Sequence, residues 1–287
     1  MGAGDDRDHA ARRQARLRRD LAPARQVALK LVVSEVGKDF LIPVLDSVSF
    51  GVETGELVCL LGPNGCGKTT LLRIIGGLES PTRGRVLLDG NPVDLRRDRK
   101  IGVVFQEDRL LPWLTLRDNA ALVLGPIGLD RSAREARAME YLGLVGLRGF
   151  EHYYPGRVSG GMRQRAAIAR ALAIEPELLL MDEPFGALDA QNRRIMQAEI
   201  RRIWSETGRT ILFITHSIEE AVDVGTALIM LSARPSRVRA RVANDGRVAR
   251  ARLIDDLNAM IIEEVEKQER SGASRAAAGD PSAEGAC

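Results

Sequence analysis

Aromatic side chains are scarce in this sequence. Of its 287 residues, 4% are Phe, Trp or Tyr, whereas 45% are hydrophobic. Aliphatic side chains must therefore supply most of the packing, and a hydrophobic fraction of this size excludes a wholly disordered chain. The length is sufficient for one large domain or two small ones.

A large excess of charge is also missing. The chain has 42 basic and 39 acidic residues, which gives a formal net charge of +3. So small an excess does not argue for a nucleic acid, a membrane surface or an acidic protein as partner.

Cysteines are few, and long apolar runs are absent from the sequence. Cys59, Cys66 and Cys287 are widely spaced and form no CxxC pair. They predict neither a disulfide framework nor a zinc site, and they favour a reducing compartment. No run approaches the ~18 apolar residues of a membrane helix, and no apolar stretch follows the basic N-terminus as in a signal peptide. We expect a cytoplasmic protein that reaches a membrane only through a partner.

Short apolar runs alternate with helical patterns along the chain. Strands are predicted at 26–33, 44–52, 56–61, 84–89, 101–105, 178–181, 211–214 and 226–231. Helices are predicted at 131–145, 162–174, 190–206 and 252–268. The runs at 178–181 and 211–214 are almost wholly apolar, which is typical of parallel strands covered by helices on both faces. The sequence therefore predicts an α/β fold.

Both ends of the sequence have a different composition. Residues 1–26 are polar and rich in Arg, and 271–287 consist mainly of Ser, Ala, Gly and charged residues. We predict a disordered tail at 271–287 and a disordered basic arm at 1–26, with a membrane-surface or regulatory arm as the alternative for the latter.

Strand 56–61 leads into the phosphate-loop pattern GxxxxGK[ST]. The pattern and the residue after it comprise Gly62, Pro63, Asn64, Gly65, Cys66, Gly67, Lys68, Thr69 and Thr70. A glycine-rich turn that binds nothing could match by chance, but here a strand precedes the loop and a helix follows it, as phosphate binding requires. Lys68 is expected to reach the outer phosphates, Thr69 to ligate Mg²⁺ and Thr70 to contact the inner phosphate.

Cys66 lies within this loop, near a helix N-terminus and Lys68. Both features favour a thiolate. We therefore expect a reactive thiol whose alkylation abolishes activity and which bound nucleotide protects.

Two adjacent carboxylates, Asp182 and Glu183, end the apolar strand 178–181. They could simply cap the next turn. Beside a phosphate loop, however, Asp182 is expected to bind Mg²⁺, and Glu183 to act as general base on an attacking water.

A second candidate anion site follows at Ser159, Gly160 and Gly161, which open an amphipathic helix. The amides of a helix N-terminus attract anions, although an ordinary helix cap would have the same composition.

At these residues the sequence resembles the ATP-binding subunits of ABC transporters. The resemblance covers about residues 27–240, and Ser159-Gly160-Gly161-Met162-Arg163-Gln164 is similar to the signature motif of that family. Further residues resemble, in order, the aromatic that stacks on adenine, the Q-loop glutamine, the D-loop and the switch histidine: Phe40, Gln106, Gly186-Ala187-Leu188-Asp189 and His216.

The resemblance implies a P-loop NTPase core with an N-terminal antiparallel β subdomain and an inserted helical subdomain at about 107–165. A helical segment is expected at 241–270. It also implies a head-to-tail homodimer, with two ATP molecules between the phosphate loop of one chain and the signature helix of the other. Gln106 would sense Mg²⁺ and the γ-phosphate, His216 would contact that phosphate and the water, and Asp189 would join the nucleotide site.

The implied partners are two integral membrane permease subunits and, indirectly, an extracytoplasmic substrate-binding protein, with no nucleic acid. The chain would lie at the cytoplasmic face of the membrane. Segment 107–119, with Trp113, is expected either to border the groove for a permease helix or to pack the helical subdomain. Strings at 105–113, 154–165 and 231–238 resemble importers of nitrate, aliphatic sulfonates and taurine.

Two other functions fit part of the pattern. One is an ABC ATPase that acts on DNA or ribosomes, and the other is a small-molecule kinase with a phosphate loop. The first is disfavoured by the absence of sustained heptads between Lys68 and Asp182, and the second leaves Ser159 and His216 unexplained.

Overall fold

The computed structural model describes residues 28–93, 101–186 and 188–277. Its strands are β1 (Leu29–Asp39), β2 (Pro43–Glu53), β3 (Leu57–Leu61), β4 (Arg83–Leu88), β5 (Asn91–Pro92), β6 (Ile101–Val104), β7 (Leu178–Asp182), β8 (Thr210–Ile214), β9 (Ala227–Leu231) and β10 (Val238–Ala243). Its α-helices are α1 (Lys68–Ile75), α2 (Leu116–Leu122), α3 (Arg131–Leu144), α4 (Gly160–Ala173), α5 (Ala190–Thr207), α6 (Ile218–Val224) and α7 (Arg250–Ala277). The predicted arm at 1–26 lies outside the described residues.

The central sheet has six strands in the order β10-β9-β3-β8-β7-β6. All neighbouring pairs are parallel except the edge pair of β9 and β10. In β3, Leu57, Cys59 and Leu61 pack into one core, whereas Val58 and Leu60 pack into another. Because both faces are covered, the inner strands of this sheet are almost wholly apolar, as predicted for 178–181 and 211–214, whereas the edge strand β10 is not.

A second sheet, of four antiparallel strands in the order β2-β1-β4-β5, covers one face of the central sheet together with α1. The other face is covered by the remaining helices, α2 to α7. The predicted P-loop NTPase architecture, with its antiparallel sheet and its helices between β6 and β7, is therefore confirmed. This layering leaves the carboxyl ends of β3, β7 and β8 at one edge.

The predicted helices 131–145, 162–174 and 190–206 agree with α3, α4 and α5 within two residues. A side-chain oxygen caps each of them: those of Asp130, Ser159 and Asp189 accept from the amide three residues further on. Such caps satisfy amides that the helix leaves unpaired, and they fix where the helix begins.

Helix α7 differs from the prediction, because it continues to Ala277. The tail was predicted to be disordered from residue 271. Residues 271–277 read Ser-Gly-Ala-Ser-Arg-Ala-Ala, in which Ala and Arg favour a helix and Gly does not, so their composition gave no clear helical signal. The remainder of the predicted tail lies outside the described residues.

Candidate nucleotide site

The phosphate loop connects the end of β3 to the start of α1. Gly65 and Gly67 both have left-handed backbone angles, with φ of 72° and 104°. A Cβ atom on Gly67 would lie 2.8 Å from Cγ1 of Val44, too close for any other residue. The loop therefore needs glycine at this position for conformation and for space.

Lys68 opens α1 and is only 6% exposed. Its ammonium donates to the carbonyl oxygens of Gly62 and Pro63, at 2.9 and 3.0 Å. These bonds hold the positive charge beside the loop, where the sequence analysis predicts the outer phosphates of the nucleotide.

Cys66 does not have the character that the sequence predicted. Its side chain is fully buried, and burial raises the pKa of the thiol, although Lys68 opposes this effect. The sulfur lies so close to the backbone of the loop that a Cβ on Gly62 would be 2.9 Å from it. The prediction of a reactive thiolate is therefore wrong. Burial raises the pKa of the thiol by more than Lys68 and the helix N-terminus lower it.

Thr69 and Asp182 join the loop to the end of β7. The Thr69 hydroxyl donates to Oδ1 of Asp182 at 3.2 Å. Asp182 is 7% exposed, and burial, with a further contribution from the charge of Glu183, raises the pKa of its carboxyl. A buried carboxylate of this kind suits a cation, and a carboxylate with a hydroxyl is the sparse protein donor set that Mg²⁺ takes together with phosphate oxygens and water.

Glu183 follows directly, and it contacts His216 from the neighbouring strand end. The distance from His216 Nδ1 to Glu183 Oε2 is 3.0 Å. The amide of Glu183 also donates to the carbonyl of Ile214, at 3.0 Å. Because β7 and β8 are parallel and adjacent, their carboxyl ends meet. The structure thus places Glu183 and His216 side by side at this edge of the sheet.

Gln106 follows β6 and is exposed. It lines a cavity of about 600 Å³ together with Gly160, Arg163, Gln164, Pro184 and Leu188, among others. The next residues are fastened to α4: Asp108 pairs with Arg163 at 3.0 Å, and Arg170 donates to the carbonyls of residues 108 and 109. The chain just after Gln106 is therefore held against α4.

The signature residues Ser159 and Gly160 are exposed at the start of α4. Ser159 Oγ accepts from the amide of Met162 at 3.3 Å, so it serves as the helix cap. Asp189, also exposed, caps α5 and accepts from the backbone and side chain of Asn192, which lowers the pKa of its carboxyl. The structure describes Gly186 and Leu188 of the predicted D-loop, whereas residue 187 lies outside the described residues.

Phe40 lies in the turn between β1 and β2. Its side chain is 58% exposed, and the Lys38 ammonium lies 4.9 Å from the ring centroid. An exposed ring of this kind is available for stacking on an aromatic ligand.

Two buried polar side chains were missed by sequence reasoning. Asn119 is fully buried and bonds the backbone of Leu111, Leu114 and Thr115, so it shapes the segment that carries Trp113. Ser236 is fully buried against the phosphate loop. Only the resemblance of 231–238 to importer sequences pointed towards Ser236, and nothing in the sequence marked Asn119.

Within the described part of the chain, no cluster of three or more His, Cys, Asp or Glu side chains could hold a metal ion. A magnesium site with one carboxylate does not require such a cluster. Among the helices of those same residues, none is long and apolar enough to cross a membrane.

Comparison with known proteins identifies the family. The sequence profile described as ABC transporter matches residues 45–186. The ABC transporter ATP-binding protein MJ0412 of Methanocaldococcus jannaschii, an uncharacterized protein, is 46% identical over 226 residues, which are 77% of this chain and 84% of that protein. The chain belongs to the ABC transporter ATP-binding family. This ABC ATPase binds and hydrolyses ATP.

Two further relatives bear on function and assembly. The taurine import ATP-binding protein TauB of Burkholderia pseudomallei is 51% identical over 205 residues, 71% of this chain and 78% of that protein. A dimeric post-hydrolysis structure of the ATP-binding cassette MJ0796, bound to ADP and Pi, is 33% identical with a TM-score of 0.67, and the match covers 75% of this chain and 99% of that one.

Proposed function

We propose that this ABC ATPase is the motor subunit of an importer for a small organic sulfonate such as taurine, with related small anions such as alkanesulfonates and nitrate as the wider class. The TauB relatives support this substrate class. The nucleotide site recognises ATP and not the transported substrate, so the site itself supports only the motor role.

Hydrolysis is best supported by the contact between Glu183 and His216, which lies beside the pair of Thr69 and Asp182. The Glu183 carboxylate takes a proton from the attacking water, whose oxygen bonds to the γ-phosphorus as the bond to the ADP oxygen breaks. His216 orients Glu183 and the water. Lys68 and the loop amides hold the phosphate oxygens and stabilise their charge.

Thr69 and Asp182, together with Gln106 just after β6, are the residues that would hold Mg²⁺. When bound, the ion neutralises phosphate charge during transfer. The described residues fit it, since a buried carboxylate with a raised pKa and an adjacent hydroxyl supply hard oxygen donors.

The active form we propose is a head-to-tail homodimer, in which the exposed Ser159 and Gly160 of one chain meet the nucleotide held by the partner's loop. The amides at the start of α4 suit a phosphate. The dimeric MJ0796 cassette supports this arrangement. ATP would close the dimer, because the γ-phosphate is held from both sides, and hydrolysis would release it.

Two permease subunits are the membrane partners we propose, with a substrate-binding protein outside the membrane and this chain at the cytoplasmic face. Trp113 is 69% exposed, whereas Leu110 and Leu116 on either side of it are buried. The leucines therefore pack the helical region and Trp113 does not, which leaves the Trp113 ring available to border the groove for a permease helix. Exposed Phe150, Tyr153 and Tyr154 lie on a segment whose backbone bonds that of residues 116 and 117.

An ATPase that acts on DNA or ribosomes is not supported, since the relatives described above are transporter proteins or ATP-binding cassettes.

The proposal is tested with Glu183→Gln, which should bind ATP but hydrolyse it at least about a hundredfold more slowly. The tagged variant is incubated with ATP and detergent-solubilised membranes of its own cells, and Lys68→Ala serves as the control that cannot hold the phosphates. An integral membrane permease recovered with Glu183→Gln alone supports the motor role. Recovery of only ribosomal or DNA-bound proteins contradicts it.

The substrate is tested separately, by uptake of labelled taurine, an alkanesulfonate and nitrate into cells that carry Lys68→Ala in place of the wild-type chain. We expect the loss of sulfonate uptake. Unchanged uptake of all three anions contradicts the substrate class but leaves the ATPase assignment intact.

A further inference from the structure

Ser236 is a fully buried polar side chain behind the phosphate loop, and the mechanism above does not use it. Its hydroxyl donates to the carbonyl oxygen of Cys66, in the middle of the loop. Removal of the donor from a buried carbonyl costs free energy, because water cannot reach the carbonyl to replace the lost hydrogen bond. The bond is therefore a fixed part of the folded loop.

The backbone holds Ser236 in place independently of its side chain. Its amide donates to the carbonyl of Val44, and its carbonyl accepts from the amide of Asp46, both at 2.9 Å. Val44 itself lies against Gly67 of the loop. The start of β2 and the turn at 232–237 thus support the phosphate loop from behind.

The same turn is attached to α7. The amide of Ala233 donates to Glu264 at 2.9 Å, and Glu264 is 5% exposed. The Glu264 carboxylate also pairs with Arg239 and, at 3.0 Å, with Lys267. A buried carboxylate with these partners is costly to disturb, so it anchors the turn firmly to the helix.

We propose that Ser236 is a positioning residue for the phosphate loop, and that Glu264 holds the turn that carries it. In a trans peptide the C=O and the following N–H point in opposite directions. A donor that holds the Cys66 carbonyl towards the back of the loop therefore aims the Gly67 amide towards the front, where phosphate binds. The C-terminal helix thereby supports nucleotide binding without touching the nucleotide.

The test uses the purified full chain and measures KM for ATP, kcat and the rise in Tm on addition of ATP. Ser236→Ala leaves the Cys66 carbonyl without its donor. We expect KM to rise about tenfold with kcat near the wild-type value, because loop geometry affects ground state and transition state alike. The rise in Tm with ATP should shrink by more than any fall in the Tm of the nucleotide-free chain.

The matched control is Ser232→Ala. Its hydroxyl donates to the Ala233 carbonyl and accepts from the Arg237 amide within the same turn. It should leave KM unchanged. If Ser236→Ala fails to fold, Ser236→Cys decides, because the thiol keeps the size of the side chain but donates weakly. It should give an intermediate KM.

Glu264→Ala should raise KM in the same direction as Ser236→Ala, but less. An unchanged KM in the Ser236 variants, or an equal rise in Ser232→Ala, overturns the role of Ser236. An unchanged KM in Glu264→Ala overturns the role of α7. These assays concern ATP binding by the chain alone, so they are unaffected if the import proposal fails.

Discussion

Asp182 is a carboxylate that the fold buries at the end of an apolar strand. Its neighbours within the chain only partly compensate for the lost hydration, since burial raises the pKa of its carboxyl despite the bond from Thr69. A residue that costs stability and lies beside a phosphate loop is better explained by ligand binding than by folding.

This cost predicts a gain of stability in Asp182→Asn. A pKa that is higher in the folded than in the unfolded chain means that ionisation favours unfolding, so the penalty begins above the unfolded pKa, near 3.8. The variant should therefore exceed the wild-type Tm at pH 7.5 and lose this advantage as the pH falls towards 4. Each kcal/mol gained corresponds to about 2–4 °C.

Thermal unfolding without Mg²⁺ measures this effect, and Asp255→Asn, at an exposed carboxylate on α7, is the control that should show none. The Asp182 variant should also lose Mg²⁺-dependent hydrolysis. A lower Tm than wild type at pH 7.5 would mean that the carboxylate stabilises the fold.

Residues of the site could be predicted wherever their chemistry is local in sequence. Lys68, Thr69 and the two carboxylates each follow an apolar strand within one short motif, and the parallel sheet then brings their strand ends together. The character of Cys66 could not be predicted, because it depends on burial by residues far along the chain. Ser236 is 170 residues from its partner, Cys66, and no local pattern reports such a contact.

At the scale of elements, N-terminal caps fix where helices begin, both within the nucleotide site and outside it. Asp130 and Asp189 make the same type of bond, each accepting from the amide three residues on, at 2.8 and 2.9 Å. Only Asp189 belongs to a motif that the family resemblance assigns to the nucleotide site.

Asp189→Ala and Asp130→Ala form a matched pair for this reason. Each should cost about 1 kcal/mol of unfolding free energy, the usual effect of a lost cap. Only Asp189→Ala should reduce ATP hydrolysis. Chemical denaturation measures the loss of stability, and a phosphate-release assay measures the loss of hydrolysis. Equal losses of activity in both variants would reduce Asp189 to an ordinary cap.

Most elements could be predicted from hydrophobic pattern, and the exceptions have physical reasons. β1 was predicted to end near residue 33 but continues to Asp39, because register shifts between Val33 and Val36 interrupt its alternation. β10 was missed because none of its residues is fully buried, so it carries no apolar signal. Of the missed helices, α2 and α6 have seven residues each, too few to establish a period.

At the scale of the whole molecule, the nucleotide site lies at the strand ends of the central sheet, whereas the exposed Trp113 lies in the segment between β6 and β7. Asn119 shapes the loop from which Trp113 projects, and the same segment continues from Gln106. The segment that carries Trp113 is therefore continuous with Gln106 in the chain.

Trp113→Ala should consequently keep the ATP hydrolysis of the isolated chain and lose binding to the permease. An aromatic anchor at an interface contributes about 2 kcal/mol or more, which is roughly a thirtyfold loss of affinity. Co-purification from membranes measures it, with Ile262→Ala, an apolar side chain 58% exposed on α7, as the control. Loss of binding in both variants, or in neither, would contradict a specific role for Trp113.

The central claim is that one active site is built from two chains, and mixing two inactive variants tests it most directly. Lys68→Ala disables the phosphate loop. Gly160→Asp disables the signature helix, because the space beside Gly160 admits a side chain while the carboxylate repels phosphate. Each variant alone should be inactive. A mixed dimer has one site with an intact loop and an intact signature, so an equal mixture should recover up to about a quarter of the wild-type activity. A mixture as inactive as its components, or full activity of Gly160→Asp alone, would contradict the composite site.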